Sequence, residues 1–211
     1  EKRAGALAAA GLDRINISLD TIDRERYAAL TRRDRLDHVL QAIAAADAAG
    51  LHPIKINAVV MPGVNEEDIV PLADYAVHHG AQLRFIEQMP LGPREQWRRE
   101  DMVTAEDILT RLRTHFSMEP AREPRGSAPA ALWEVSAPDG TRGTLGIIAS
   151  VTHPFCGDCD RTRLTTDGAI RNCLFGNSET PLRDLLRSGA SDEDIMEAWA
   201  GEMWTKKPGH G

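Results

Sequence analysis

The sequence predicts an α/β protein: strand and helix alternate around a parallel sheet, and a smaller α+β domain holding a metal follows from about residue 93. Three observations carry this expectation. A short apolar strand followed by a helix-period stretch recurs three times in the first half of the chain. The texture changes at Gly92, where Pro93, Arg94, Glu95, Gln96 and Trp97 interrupt the repeat. All three cysteines lie in one late segment. The expected domains are 1–92 and 93–211.

The chain opens without Met in a helical stretch, residues 1–10, with Gly11 as its C-terminal cap. A helix feeding directly into a strand belongs to a βαβ series, so a strand is expected upstream and the chain is expected to be a fragment. Strands are expected at Ile15–Leu19, Ile54–Met61 and Leu83–Met89. Between them, Leu36, Val39, Leu40, Ile43 and Ala44, then Ile69, Leu72, Ala73 and Ala76, recur with a period near that of an α-helix. Alternation of this kind predicts a parallel sheet.

The strands are unusually polar. Asn16, Ser18 and Asp20 share one face, as do Lys55 and Asn57, where a filled barrel would carry branched apolar side chains. These groups fit either a solvated sheet face or, the preferred expectation, a partly open polar barrel interior. Ligands of barrels meet the carboxyl ends of strands, which would put Ser18, Asp20, Glu87 and Met89 near the mouth.

Beyond Gly92 a helix is expected at Thr104–His115, with Thr104 as N-cap and Asp107 completing a capping box. Glu119–Pro129 reads as an exposed loop, Leu132–Val135 and Gly143–Ile148 as strands flanking the turn signal Asp139-Gly140, and Pro181–Ser188 and Asp192–Trp199 as helices. Residues 206–211 are expected to end in a turn.

A net charge of −7 argues against a nucleic-acid partner. No stretch has the length and apolarity of a membrane span and no secretory leader opens the chain, so a cytoplasmic protein is expected. Cysteines clustered as for metal, rather than spread for pairing, point to the same reducing compartment.

That cluster is Cys156-Gly157-Asp158-Cys159 with Cys173 further on. Three thiolates leave a centre one ligand short of four, which suits a site open to substrate. A structural Cys3His zinc site with His153 is the alternative. Arg161, Arg163 and Arg171 surround the cysteines in sequence, and their planar forks suit phosphate oxygens, for which a structural metal has no use.

The segments 16–20 (NISLD), 55–61 (KINAVVM), 84–90 (RFIEQMP) and 155–164 (FCGDCDRTRL), with Lys207-Pro208, are in the order and spacing of one family. The chain resembles, over essentially its whole length, the GTP 3′,8-cyclase (MoaA) family of molybdenum cofactor biosynthesis. The resemblance implies the C-terminal half of an incomplete (βα)6 TIM-like barrel, then a smaller α+β domain carrying an iron-sulfur cluster and binding GTP. It implies a radical S-adenosylmethionine lyase converting GTP to (8S)-3′,8-cyclo-7,8-dihydroguanosine 5′-triphosphate. Cys156, Cys159 and Cys173 would ligate a 4Fe-4S cluster with one iron left for guanine. Lys55, Arg161 and Arg163 would meet the triphosphate with Arg84 as helper, and Ser18 and Met89 would contact S-adenosylmethionine. No residue is assigned to catalysis.

The family's N-terminal CxxxCxxC for a second 4Fe-4S cluster, its glycine-rich adenosylmethionine segment and its Gly-Gly tail are not in this chain. The whole protein, rather than this chain alone, is therefore the expected enzyme. A homodimer is implied, with cyclic pyranopterin monophosphate synthase as functional partner. The other classes left open are a radical enzyme with an auxiliary cluster acting on a peptide or small molecule, and the zinc module.

Overall fold

The computed structural model describes residues 2–91, 97–176 and 178–209. It divides into two compact units, Glu1–His153 and Pro154–Gly211. No helix among the described residues is long and apolar enough to cross a membrane.

The first unit begins with α1 (Ala4–Ala9), which ends at Gly11 with φ 91°, the left-handed conformation that glycine adopts without strain. Then come β1 (Ile15–Ser18), α2 (Arg24–Thr31), α3 (Leu36–Ala48), β2 (Ile54–Val60), α4 (Ile69–His78) and β3 (Gln82–Glu87). β1, β2 and β3 pair parallel, as strand-helix alternation requires. Strict alternation governs β2 and β3. Ile54, Ile56, Ala58, Val60, Leu83 and Phe85 are buried, packing with Ile43 of α3 and Leu72, Ala73 and Ala76 of α4. The other face carries Asn16, Ser18, Lys55, Asn57 and Arg84, exposed or half-buried.

The unit continues with α5 (Ala105–Arg113), β4 (Ser117–Pro120), β5 (Ala131–Ser136) and β6 (Arg142–Ile148). Thr104 caps α5 in a reciprocal box with Asp107, as the sequence predicts. β6 pairs parallel with β3 and antiparallel with β5, giving one six-stranded sheet in the order β1-β2-β3-β6-β5-β4. The domain boundary expected at 92/93 falls on residues 92–96, outside those described, and the compact division comes later because β4, β5 and β6 extend the first sheet. Glu119 and Pro120 are not in a loop: they end β4, an edge strand, where proline's missing donor costs no ladder bond.

The β5–β6 turn is tied back to α4. His78 Nε2 lies 2.9 Å from Asp139 Oδ2, and its Nδ1 lies 2.8 Å from the Asp74 carbonyl. The hydrogen bond to Asp139 raises the His78 pKa, and the same contact with His78, then the Thr141 N–H, lowers Asp139 to about 2. The Asp139 contribution to stability is full above its ordinary 3.8 and is lost as pH falls through about 2. The His78 contribution is full below 6.5 and is lost as pH rises through its raised value. Amide exchange at Gly140 and Thr141 should therefore be slowest, after correction for intrinsic rates, between those limits, and His78→Gln should remove the rise above pH 6.5.

The second unit holds β7 (Arg163–Leu164), β8 (Ala169–Arg171), β9 (Thr180–Pro181), α6 (Leu182–Arg187) and α7 (Asp192–Trp204). The three short strands form an antiparallel sheet in the order β7-β8-β9. Ser191 and Asp194 form a capping box at the start of α7, which runs past the expected end at Trp199 despite Gly201. Buried Glu202 of α7 accepts from Thr180 Oγ1 at 2.8 Å, and buried Asn172 Nδ2 donates to the Glu202 carbonyl at 2.8 Å and to Thr205 Oγ1 at 2.9 Å. These bonds join α7 to β9 and to the residue preceding Cys173.

Candidate functional site

There are two separate groups of candidate residues: a cationic sheet face in the first unit and a cluster of thiols in the second.

On the sheet face, register places Asn16 beside Lys55, Ser18 beside Asn57, and Asn57 beside Arg84. Arg84 Nε donates to Asn57 Oδ1 at 2.8 Å, and Nη2 donates to Asn16 Oδ1 at 2.9 Å. Among the described residues no carboxylate pairs with Arg84 or Lys55. Burial pushes the Arg84 pKa down; burial, then the charges of Arg84 and Arg14, pushes Lys55 down. Part-buried cations with no carboxylate partner among the described residues, one of them lowered by the charge of the other, form a place for an anion to bind.

The carboxyl ends of β1 and β2 are held by a second set of bonds. Asp20 Oδ1 accepts the Val59 N–H at 2.8 Å; Asn65 Nδ2 donates to the carbonyls of Asp20 and Val59, and its Oδ1 accepts the Met61 N–H. Burial raises Asp20, against the lowering effect of the Val59 N–H. Ser18 is exposed at the end of β1, and Met89 is half-buried just beyond β3. Glu87, expected at the mouth, is instead buried on the core face of β3, where it binds the N-terminus of α5.

In the second unit, Cys156 opens a single turn of 3-10 helix, Cys159 follows it and Cys173 follows β8; all three are half-buried. Burial, then the neighbouring Cys173 and Cys159, raises the Cys156 thiol. Burial acts to raise Cys159 as well, but hydrogen bonds from the Arg161 backbone and side chain, with the charges of Arg161 and Lys206, prevail and lower it. Such a thiol is disposed to bind metal as thiolate. Among the described residues no three His, Cys, Asp or Glu groups converge as ligands of a single ion. A cuboidal cluster gives each thiolate its own iron, a different demand from convergence on a single ion.

Arg161 stacks over the Phe155 ring with its guanidinium 4.3 Å from the centroid, its carbonyl accepts from Lys206 Nζ at 2.6 Å, and its buried Nη2 has no hydrogen-bond partner among the described residues. Buried donors are seldom left unpaired, and one near Cys156 and Cys159 points to a missing acceptor. Arg163 is half-buried and pairs with Arg171 across β7 and β8. Arg171 differs from the expected ring of free guanidinium groups: both its Nε and Nη2 engage Glu179, which neutralises it. Asn16, Asn57 and Lys206 were not expected as site residues. Asn16 and Asn57 show in sequence only as polar residues on strands, and Lys206 only as a surface cation.

Residues 1–76 match the radical SAM superfamily and residues 81–211 match the family Molybdenum Cofactor Synthesis C. The whole chain is 72% identical to the GTP 3',8-cyclase of Corynebacterium glutamicum strain ATCC 13032 over 214 residues, covering 56% of that protein. It is 58% identical to GTP 3',8-cyclase 2 of Mycobacterium tuberculosis strain H37Rv and 56% identical to the GTP 3',8-cyclase of Mycobacterium marinum, covering 59% of each. The chain thus spans little more than half the length of these relatives.

Proposed function

We propose, on the premise that this chain belongs to the radical SAM and molybdenum cofactor synthesis family whose curated members are named GTP 3',8-cyclase, that the protein it forms part of cyclises GTP. The product is (8S)-3′,8-cyclo-7,8-dihydroguanosine 5′-triphosphate, the first intermediate of molybdenum cofactor synthesis. The observation that carries this reading is the buried Arg161 donor near Cys156 and Cys159 that has no acceptor among the described residues.

The donor set fits a cluster: three thiols, one of them lowered by Arg161 and Lys206. Cys156, Cys159 and Cys173 would each hold one iron of a 4Fe-4S cluster, with the fourth iron open to guanine. Ser18 and Met89, at the carboxyl ends of β1 and β3, would contact S-adenosylmethionine, as ligands of parallel sheets do. When bound, S-adenosylmethionine and a further 4Fe-4S cluster would supply the radical chemistry for joining the ribose 3′ carbon to C8. Lys55, Arg84, Arg161 and Arg163 would hold the triphosphate and so fix the ribose; positioning of this kind is a main source of rate when no proton transfer is assigned. The sheet β1-β2-β3 is read as the second half of an incomplete (βα)6 barrel, and residues 93–211 as the GTP-binding part. The same reading extends to a homodimer, a cytoplasmic location, and cyclic pyranopterin monophosphate synthase as consumer of the product.

Titration calorimetry of the cluster-loaded, full-length protein under anaerobic conditions tests this. Arg161→Ala or Arg163→Ala should each weaken GTP binding by roughly 1.5–3 kcal/mol, as for a hydrogen bond to a charged group, and leave guanosine binding unchanged. GTP affinity equal to wild type in both variants would remove the phosphate assignment.

A further inference from the structure

Arg84 is held by neutral groups. Two strands reach it: Asn57 from adjacent β2 takes Nε, and Asn16, from β1 one strand further, takes Nη2. The lane along which its side chain runs is kept open from the other side by Gly146 of β6, its register partner. A Cβ added at Gly146 would lie 2.9 Å from Arg84 Cγ and 3.2 Å from Ala130 Cβ, so a larger residue must displace the arginine.

An arginine needed only as a structural tie is better anchored by a carboxylate, because a hydrogen bond between charged partners is the stronger one. Amide oxygens do something a carboxylate cannot: they fix the plane of the guanidinium while leaving its full charge unneutralised. That charge stands near Lys55, which likewise has no anionic partner among the described residues.

We propose that Asn16 and Asn57 are positioning residues that orient Arg84, with Gly146 keeping its lane clear, so that its Nη1 group and spare Nη2 hydrogen bind a phosphate of the nucleotide. The inference rests on the GTP reading above and assigns roles to three residues that reading leaves without one.

The test uses the full-length, cluster-loaded protein, with calorimetric titration of GTP and of guanosine. Asn57→Ala and Asn16→Ala should each raise the GTP Kd roughly tenfold, the loss expected when one hydrogen bond that orients a charged group is removed, with guanosine unchanged. Combined with Arg84→Ala, neither should add further loss, since all act through one guanidinium. Asn57→Asp is the decisive variant. It keeps the shape and the acceptor, so a merely structural tie would be preserved or tightened; as an anion it should weaken GTP by at least tenfold through neutralising Arg84. Gly146→Ala should behave like Arg84→Ala. Wild-type GTP affinity in Asn57→Asp, or in both alanine variants while Arg84→Ala is weakened, overturns the positioning role and leaves the GTP reading standing. Should Arg84→Ala itself bind GTP normally, the phosphate role of this face fails and the positioning role with it, while Arg161 and Arg163 remain a separate test of GTP binding.

Discussion

Replacing Cys173 with Ser should remove the cluster proposed for Cys156, Cys159 and Cys173. A serine hydroxyl stays protonated where a thiol can ionise, so it is a poor ligand for iron. Cys173 follows buried Asn172, whose bonds to the Glu202 carbonyl and Thr205 hydroxyl tie the segment to the end of α7, and those bonds are untouched by the change. The variant should therefore fold but lose its metal. In the anaerobically prepared full-length protein, iron and sulfide per chain should fall by roughly half, since one of two expected clusters goes. Cyclase turnover should fall by more than about 100-fold, a larger loss than outer-sphere changes cause. His153→Ala is the paired control. His153 is exposed, and its backbone N–H donates to the Ala149 carbonyl, which alanine retains. Iron content should be unchanged in that variant; equal loss in the two would restore the Cys3His zinc site. Iron and zinc analysis with Mössbauer spectroscopy distinguishes them.

What could be read in the sequence was what local rules fix. The alternation in Ile54–Val60 is written in the residues themselves, and so is the pair of oxygens that caps α5, because each depends on neighbours a few positions apart. The parallel pairing of β3 with β6 does not. It joins Leu83 to Leu145 across the α5, β4 and β5 segments, and nothing in the apolar run of β6 says which strand it will meet. For that reason a hairpin was legible at Asp139-Gly140, yet its membership of the first sheet was not. Two- and three-residue strands such as β7 and β8 are too short to show a period at all. In the site, the cysteines declare themselves by spacing. The arginines do so only halfway: their charge is visible in sequence, but whether it is already spent is a matter of contacts. Arg171 is neutralised by Glu179, whereas Arg84 is held by two amides and keeps its charge.

Glu87 illustrates the same limit, and its replacement by alanine should strongly destabilise the first unit. In sequence it sits between strand residues and a motif methionine, a natural candidate for a ligand. In the fold both its oxygens are consumed: Oε1 accepts the Ala105 N–H at 2.8 Å and the Thr152 hydroxyl at 2.6 Å, and Oε2 accepts the N–H groups of Val151 and Thr152 at 2.8 and 2.9 Å. One buried side chain thereby ties β3 to the start of α5 and to the segment leaving β6. The carboxylate also meets the positive end of the α5 helix. Glu87→Ala strands these donors where water is scarce, and a cost of roughly 3–5 kcal/mol is expected, since each unsatisfied buried group costs about 1–3 kcal/mol and relaxation recovers part. Glu87→Gln keeps the shape but turns an amide NH2 toward donors, and should cost roughly half as much. Urea unfolding of the full-length protein reads both. Trp97 supplies a local signal, because its indole N–H donates to the Gln88 carbonyl beside Glu87. A Glu87→Ala variant with the stability of wild type and weakened adenosylmethionine binding would show instead that the carboxylate serves the ligand, and that its four donors find other partners at no cost.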